Sequence, residues 1–136
     1  MREGWVGEEY LILFEADELQ NAPARYSFPE LLPGYTLLGL RSWDEFSVHD
    51  NTGHLFTVPT VPVSAIHLVP FQAPGVDQVW TADERFSGKI KWYLKPLVFG
   101  GDPLSQQNQT WISHDQHAQL VRYWNNMYRS MNAHDP

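Results

Sequence analysis

The residues of this chain best suited to chemistry are its histidines and carboxylates, because it contains no cysteine. Two histidines and an aspartate fall within six residues of Val48-His49-Asp50-Asn51-Thr52-Gly53-His54-Leu55-Phe56-Thr57-Val58-Pro59. Imidazole and carboxylate so close in sequence are the raw material of a metal site or an acid–base pair. A second pair, His114 and His117, is spaced to share one face of a helix. A metal needs three or four ligands and an outer shell that orients them. Asp50, the third candidate, stands in Asp50-Asn51-Thr52-Gly53, where Asp and Asn bond their own backbone and glycine supplies a positive φ. Its carboxylate is therefore expected to serve the turn, with His49 and His54 flanking a solvated hairpin tip. His114 and His117 fall in a first helical turn, where polar residues serve the helix end, and no acid at helical spacing supports them.

Other catalytic signatures are missing. There is no Gly-x-Ser-x-Gly elbow, no His-Glu-x-x-His and no phosphate loop, and Phe99-Gly100-Gly101-Asp102-Pro103 is a glycine turn without the Gly-Lys-Ser/Thr ending. The absence of cysteine excludes disulfides, thiolate zinc sites and cysteine nucleophiles. The reading is a non-catalytic binding protein with no metal and no cofactor. The alternative is a metal hydrolase built on His49, His54, His114 or His117.

The elements that would position these residues follow from periodicity. Glu9-Tyr10-Leu11-Ile12-Leu13-Phe14 and Tyr35-Thr36-Leu37-Leu38-Gly39-Leu40 read as strands. Residues 16–21 allow a turn or two of helix, stopped by Pro23. Around the tip, Phe46 and Val48 alternate with polar residues, as do Phe56 and Val58, which makes a β-hairpin. Residues 64–71 read as another strand, and residues 72–86 as irregular. Ile90, Trp92 and Leu94 alternate with Lys89, Lys91 and Lys95, the pattern of a half-exposed strand whose lysines guard an edge. Ser113 with Gln116 forms a capping box. It opens an amphipathic helix of about 18 residues whose apolar stripe is His117, Leu120, Val121, Trp124, Met127, Tyr128 and Met131, with Arg122, Asn125 and Arg129 opposite.

The 136 residues suit one domain with a real core, and 43% are hydrophobic, as in a globular protein. No apolar run reaches the length of a membrane span, and the N-terminus carries acids where a signal peptide carries bases. The expectation is a soluble cytoplasmic protein, in which the Asn108-Gln109-Thr110 sequon means little. The net charge is −7, and all of it lies in residues 1–50, which hold ten acids and three bases. Such a surface repels nucleic acid and attracts basic proteins, although it can simply solubilise. Candidate contact residues are Glu8, Glu9, Glu15, Asp17, Glu18, Trp43, Asp44 and Glu45, with Tyr10 and Tyr26 among them as aromatic anchors or core residues and Tyr35 read as a core or strand residue.

In order and spacing, Leu11-Ile12-Leu13-Phe14-Glu15-Ala16-Asp17-Glu18-Leu19-Gln20-Asn21, then Pro29-Glu30-Leu31-Leu32-Pro33-Gly34-Tyr35-Thr36-Leu37-Leu38-Gly39, then the hairpin with its Asp-x-x-Gly tip and Val58-Pro59 resemble the SMI1/KNR4 (SUKH) superfamily. The resemblance covers residues 9–71. The C-terminal part, with Pro96 to Pro103, Asn108 and residues 117–125, is similar to tails of some bacterial members. It implies an α+β fold, an antiparallel sheet packed by helices. It also implies an immunity protein that neutralises a cognate toxin of nuclease or deaminase type by binding it, or else a regulatory scaffold with several partners. Contact residues vary among members and none carry over by position. Members of the family place helices ahead of the first strand. Here Arg2-Glu3-Gly4-Trp5 stand there instead, so either those helices are missing or the C-terminal helix packs in their place.

Overall fold

A computed structural model of the chain describes residues 1–132. Its frame is a six-stranded antiparallel meander in sequence order: β1 (Arg2–Val6), β2 (Glu9–Leu13), β3 (Thr36–Arg41), β4 (Glu45–His49), β5 (Leu55–Pro59) and β6 (Val69–Pro70). Two helices, α1 (Asp17–Arg25) and α2 (Phe28–Leu31), lie between β2 and β3. A separate ribbon pairs β7 (Ile90–Tyr93) with β8 (Gln109–Ile112), and α3 (His114–Asn132) follows. The α+β class expected from the sequence is the observed one.

Alternation puts Ile12, Leu40, Phe46 and Val58 in one cross-strand row and Leu37, Val48 and Phe56 in the next. On that face they meet Tyr26, Phe28 and Leu31 from the helical segment, Ile90 and Trp92 from the ribbon, and Ala118 and Val121 from α3, all in one core. Residues 71–80 lie along the opposite face, where Phe71 and Trp80 close an apolar cavity of about 250 Å³ against Leu11, Leu13, Leu38 and Leu55. Gly39 permits the β2–β3 contact, because a Cβ there would stand 1.9 Å from the Ile12 carbonyl oxygen.

Several expectations are corrected. β1 was not legible: it is a short edge strand that exists by pairing with β2, its outer side bridged at Trp5 by Thr81. Pro23 does not stop α1 but lies inside it; its φ suits a helix, and Tyr26 N–H still bonds Ala22 O at 3.0 Å. Residues 64–71 are not one strand. Ser64 caps a 3-10 turn over Ala65–His67, and only Val69–Pro70 pair with β5, with one further bond from Phe71 N–H to Leu55 O at 3.0 Å. β7 keeps Ile90 and Trp92 buried, but it ends at Tyr93 and leaves Leu94 exposed. In α3 the capping box forms as expected, with Ser113 N–H to Gln116 Oε1 at 3.0 Å and Gln116 N–H to Ser113 Oγ at 3.1 Å. The buried face is displaced, however. Asn125 is buried, Arg129 reaches inward, and Met127 and Met131 are exposed. α3 packs beside α1 and against β7, covering the sheet face on which α1 lies.

Candidate functional site

The register divides the acidic candidates between opposite ends of the sheet. Arg41 lies across from both Leu11 and Glu45, so Glu8, Glu9, Trp43, Asp44 and Glu45 share one end. Glu15, Asp17 and Glu18 follow the other end of β2, where the N-terminal amine of Met1 lies 2.7 Å from Glu18 and 3.5 Å from Glu15. At the first end Arg41 is paired with Glu9 and lies 3.8 Å from Glu45. Glu8 is exposed in the turn between β1 and β2. The eight candidates therefore do not form one face.

Between β3 and β4 the chain turns through Ser42, Trp43 and Asp44. Ser42 and Trp43 have φ of 48° and 64°, a left-handed conformation costing a non-glycine residue roughly 1–2 kcal/mol each. The surroundings impose it. Ser42 N–H bonds Tyr10 O at 2.7 Å, and Thr60 N–H bonds Asp44 O at 3.0 Å. The Trp43 indole stacks on Tyr10 with centroids 4.8 Å apart and meets Phe86 and Trp111 edge-on. Trp43 is thus a core residue with 9% of its surface exposed, and Tyr10 and Tyr26 are also buried. They hold the fold rather than stand ready as open anchors. What the strained turn presents to solvent is Asp44.

Asp44 stands at a pocket of about 400 Å³ between this turn and β7. Pro59, Val61, Trp92, Leu97 and Val98 supply apolar wall, while Glu45, His67 and Lys91 bring the other titratable groups. Water reaches the carboxyl from the open side, and protein atoms crowd it on the others. This concave, poorly solvated placement, followed by the charge of Glu45, pushes its pKa up to about 6, against weaker opposing effects of its own backbone N–H, Lys91 and Arg41. Among the described residues no cation lies within ion-pair distance of Asp44. A raised carboxyl in a cleft is also what acid–base catalysis uses. Here no described hydrogen bond joins it to His67 or Lys91, and no serine lines the pocket.

The rim of the pocket depends on residues that sequence patterning put on the wrong face. Asn125 Oδ1 accepts from Val63 N–H at 2.7 Å, and its Nδ2 donates to Thr60 O at 2.7 Å and Val121 O at 2.8 Å. Arg129 donates to Leu31 O at 2.6 Å and Glu30 O at 3.1 Å, binding α3 to the end of α2. The available signal was the i+4 row His117, Val121, Asn125, Arg129, which continues a buried face.

The histidines do not converge. His49 shares a hydrogen bond of 2.7 Å with Asp50 O, and His54 one of 2.6 Å with Thr52 Oγ1. Asp50 Oδ1 accepts from Thr52 N–H and His54 N–H, each at 2.9 Å, and from the Thr52 hydroxyl at 2.7 Å, so the carboxylate does serve the turn. His117 departs from expectation. It is wholly buried, its Nδ1 shares a 2.6 Å hydrogen bond with the Tyr26 hydroxyl, and its Nε2 has no partner. Burial lowers its pKa to about 3, so the ring is neutral. His114 is half-buried, and its pKa is lowered by the same cause. Among the described residues no three His, Asp or Glu side chains come together as a metal site would require. Asn108 of the sequon accepts from Lys95 N–H at 2.7 Å and donates to Lys95 O at 3.1 Å, a structural clamp on the glycine turn.

No family model matches the chain, and neither curated proteins nor solved structures yield a match. Among the described residues no helix is long and apolar enough to cross a membrane.

Proposed function

We propose that this chain is a non-catalytic protein-binding domain of the immunity-protein kind, which neutralises a basic toxin domain in the cytoplasm by direct contact. The contact surface in this reading is the sheet end that carries Glu8, Glu9, Asp44, Glu45 and the adjoining pocket. The observation that carries the reading is Asp44, a solvent-reachable carboxylate with no counter-ion among the described residues, beside an apolar pocket. Carboxylates left unpaired beside apolar surface are complementary to a partner that brings both a cation and an apolar stem. The net charge of −7 supports the same partner sign through long-range steering. The resemblance of residues 9–71 to SMI1/KNR4 proteins supports the immunity role.

The test is co-expression with the product of the reading frame beside this gene, followed by stopped-flow association of the purified pair. The expected results are rescue of growth from a toxic neighbour and an on-rate that falls at least about tenfold between low and high salt. A harmless neighbour that does not bind sinks the immunity role. An on-rate indifferent to salt sinks electrostatic steering.

A further inference from the structure

The acids of this molecule differ in whether anything already neutralises them. Glu9 and Glu45 share Arg41, Glu15 and Glu18 hold the N-terminal amine, Asp83 holds Arg85, and Asp115 lies 3.2 Å from Arg25. Among the described residues Asp44 and Asp17 both lack an ion-pair partner and line a pocket, but Asp17 shares its pocket with the Met1 amine and Arg25, whereas the wall around Asp44 is mostly apolar. The volume of about 400 Å³ lies toward the small end of ligand sites, which run roughly from 300 to 1,000 Å³. It suits one side chain and the peptide around it better than a large cofactor.

Resting on the protein-binding reading above, we propose that the pocket between the β3–β4 turn and β7 receives a single arginine side chain from the partner. In this arrangement Asp44 is the counter-ion, the Tyr93 ring, which Lys91 Nζ overlies at 5.6 Å from its centroid, is the aromatic surface the guanidinium competes for, and Leu97 and Val98 are the cover for the aliphatic stem. Arginine fits better than lysine for three reasons. Its guanidinium is planar and pairs bidentately with a carboxylate, it stacks on aromatic rings, and it is less strongly hydrated, so that entering a partly apolar site costs it less. The charged groups around the pocket limit the effect without cancelling it. Glu45 reinforces the attraction, while Lys91 and Arg41 oppose it more weakly at Asp44. His67 also lies among the lining residues. Trp43 also lines the pocket, and its buried indole N–H lacks an acceptor among the described residues. A peptide that delivers an arginine also brings carbonyl oxygens.

The experiment titrates the isotope-labelled full chain with N-acetyl-L-arginine methylamide and follows amide and indole resonances. Saturable shifts confined to Asp44, Trp92, Tyr93, Leu97 and Val98 are expected. The citrulline analogue, neutral but of the same shape, should bind at least tenfold more weakly, and the lysine analogue about threefold more weakly. Asp44→Asn should lower arginine affinity at least tenfold while leaving the rest of the spectrum unchanged. Lowering the pH from 7 to 5 should weaken binding more in the native chain than in Asp44→Asn. Equal binding of arginine and citrulline analogues, shifts elsewhere on the surface, or an Asp44→Asn variant that binds like the native chain each overturn the proposal. A protein partner that binds the native chain and Asp44→Asn equally well overturns the arginine pocket and leaves the protein-binding reading standing. Arginine binding with no protein partner found does the reverse.

Discussion

Strand β4 runs between two turns that each contain an aspartate, and the two aspartates are opposites. At one end Asp50 accepts three hydrogen bonds from Thr52 and His54, and these, led by the Thr52 hydroxyl, hold its carboxyl below the usual carboxylate range. Gly53, with φ of 87°, closes that turn without strain. At the other end Ser42 and Trp43 take up left-handed backbone without glycine, and Asp44 makes no side-chain ion pair, its carboxyl pushed up to about 6. One turn consumes its acid and relaxes. The other is held under strain and leaves its acid free. Strain of this kind persists where the surroundings over-determine it, and it concentrates at binding sites. Two residues of the same type, five residues of strand apart, thus differ in what they are free to do.

The largest way to break the contrast is to loosen what holds the strained turn. Asp44 O accepts from Thr60 N–H, and Thr60 O accepts from Asn125. Asn125→Ala removes three buried hydrogen bonds and leaves Val63 N–H and Thr60 O without partners. Destabilisation of about 3 kcal/mol is expected, read from the urea midpoint, together with loss of the shifts that an arginine probe causes at Asp44. An Asn125→Ala chain as stable as the native one would show that α3 does not brace the pocket.

The next effect sets Asp44 against His117 through pH. His117 has a folded pKa of about 3, below its unfolded value of about 6.5, so its contribution is intact above pH 6.5 and is lost as the pH falls toward 3. The slope approaches about 1.4 kcal/mol per pH unit within that window. Asp44 has the opposite sign. Its folded pKa is raised, so its contribution is fully present below about pH 4 and is lost as the pH rises through about 6. Between pH 4 and 6 the two oppose each other, the Asp44 effect being reduced by its contact with solvent. Asp44→Asn should therefore steepen the acid limb of stability, and His117→Leu should flatten or reverse it. Urea midpoints taken across pH 4 to 7 decide. A limb unchanged by both substitutions would mean that neither group is perturbed by its surroundings.

How much of this was legible in the sequence depends on how local the cause is. The hairpin tip was legible because Asp50, Thr52 and Gly53 satisfy one another within a few residues, and the start of α3 because Ser113 and Gln116 do the same. Strand β1 was not, since Arg2–Val6 owes its extended form to a neighbour across the sheet. The inward turn of Asn125 and Arg129 was not legible either, because polar side chains on a helix read as outward until the carbonyls they serve are known, and Thr60 and Leu31 lie far away in sequence. The pocket follows the same rule. Asp44, Val61, Trp92 and Val98 come from separate segments, and only the packing of the ribbon against the end of the sheet brings them together. The acidity of the first third was visible at once. Its division between two ends of a sheet needed the register.

The smallest effect is also the most direct comparison, made by removing each carboxylate at neutral pH. Asp50→Ala takes away the acceptor of two backbone N–H groups and a hydroxyl in an exposed tip, where water can replace part of what is lost. A melting temperature lower by about 4 °C is expected, with no change in the binding of an arginine probe. Asp44→Asn removes a carboxylate that has no ion pair among the described residues and whose ionisation the fold opposes. Its melting temperature should stay level or rise slightly, while arginine binding weakens at least tenfold. The two variants thus trade places between the two measurements. If Asp44→Asn were the less stable of the pair, the carboxylate would be holding its turn together as Asp50 does, and the contrast between the two ends of β4 would disappear.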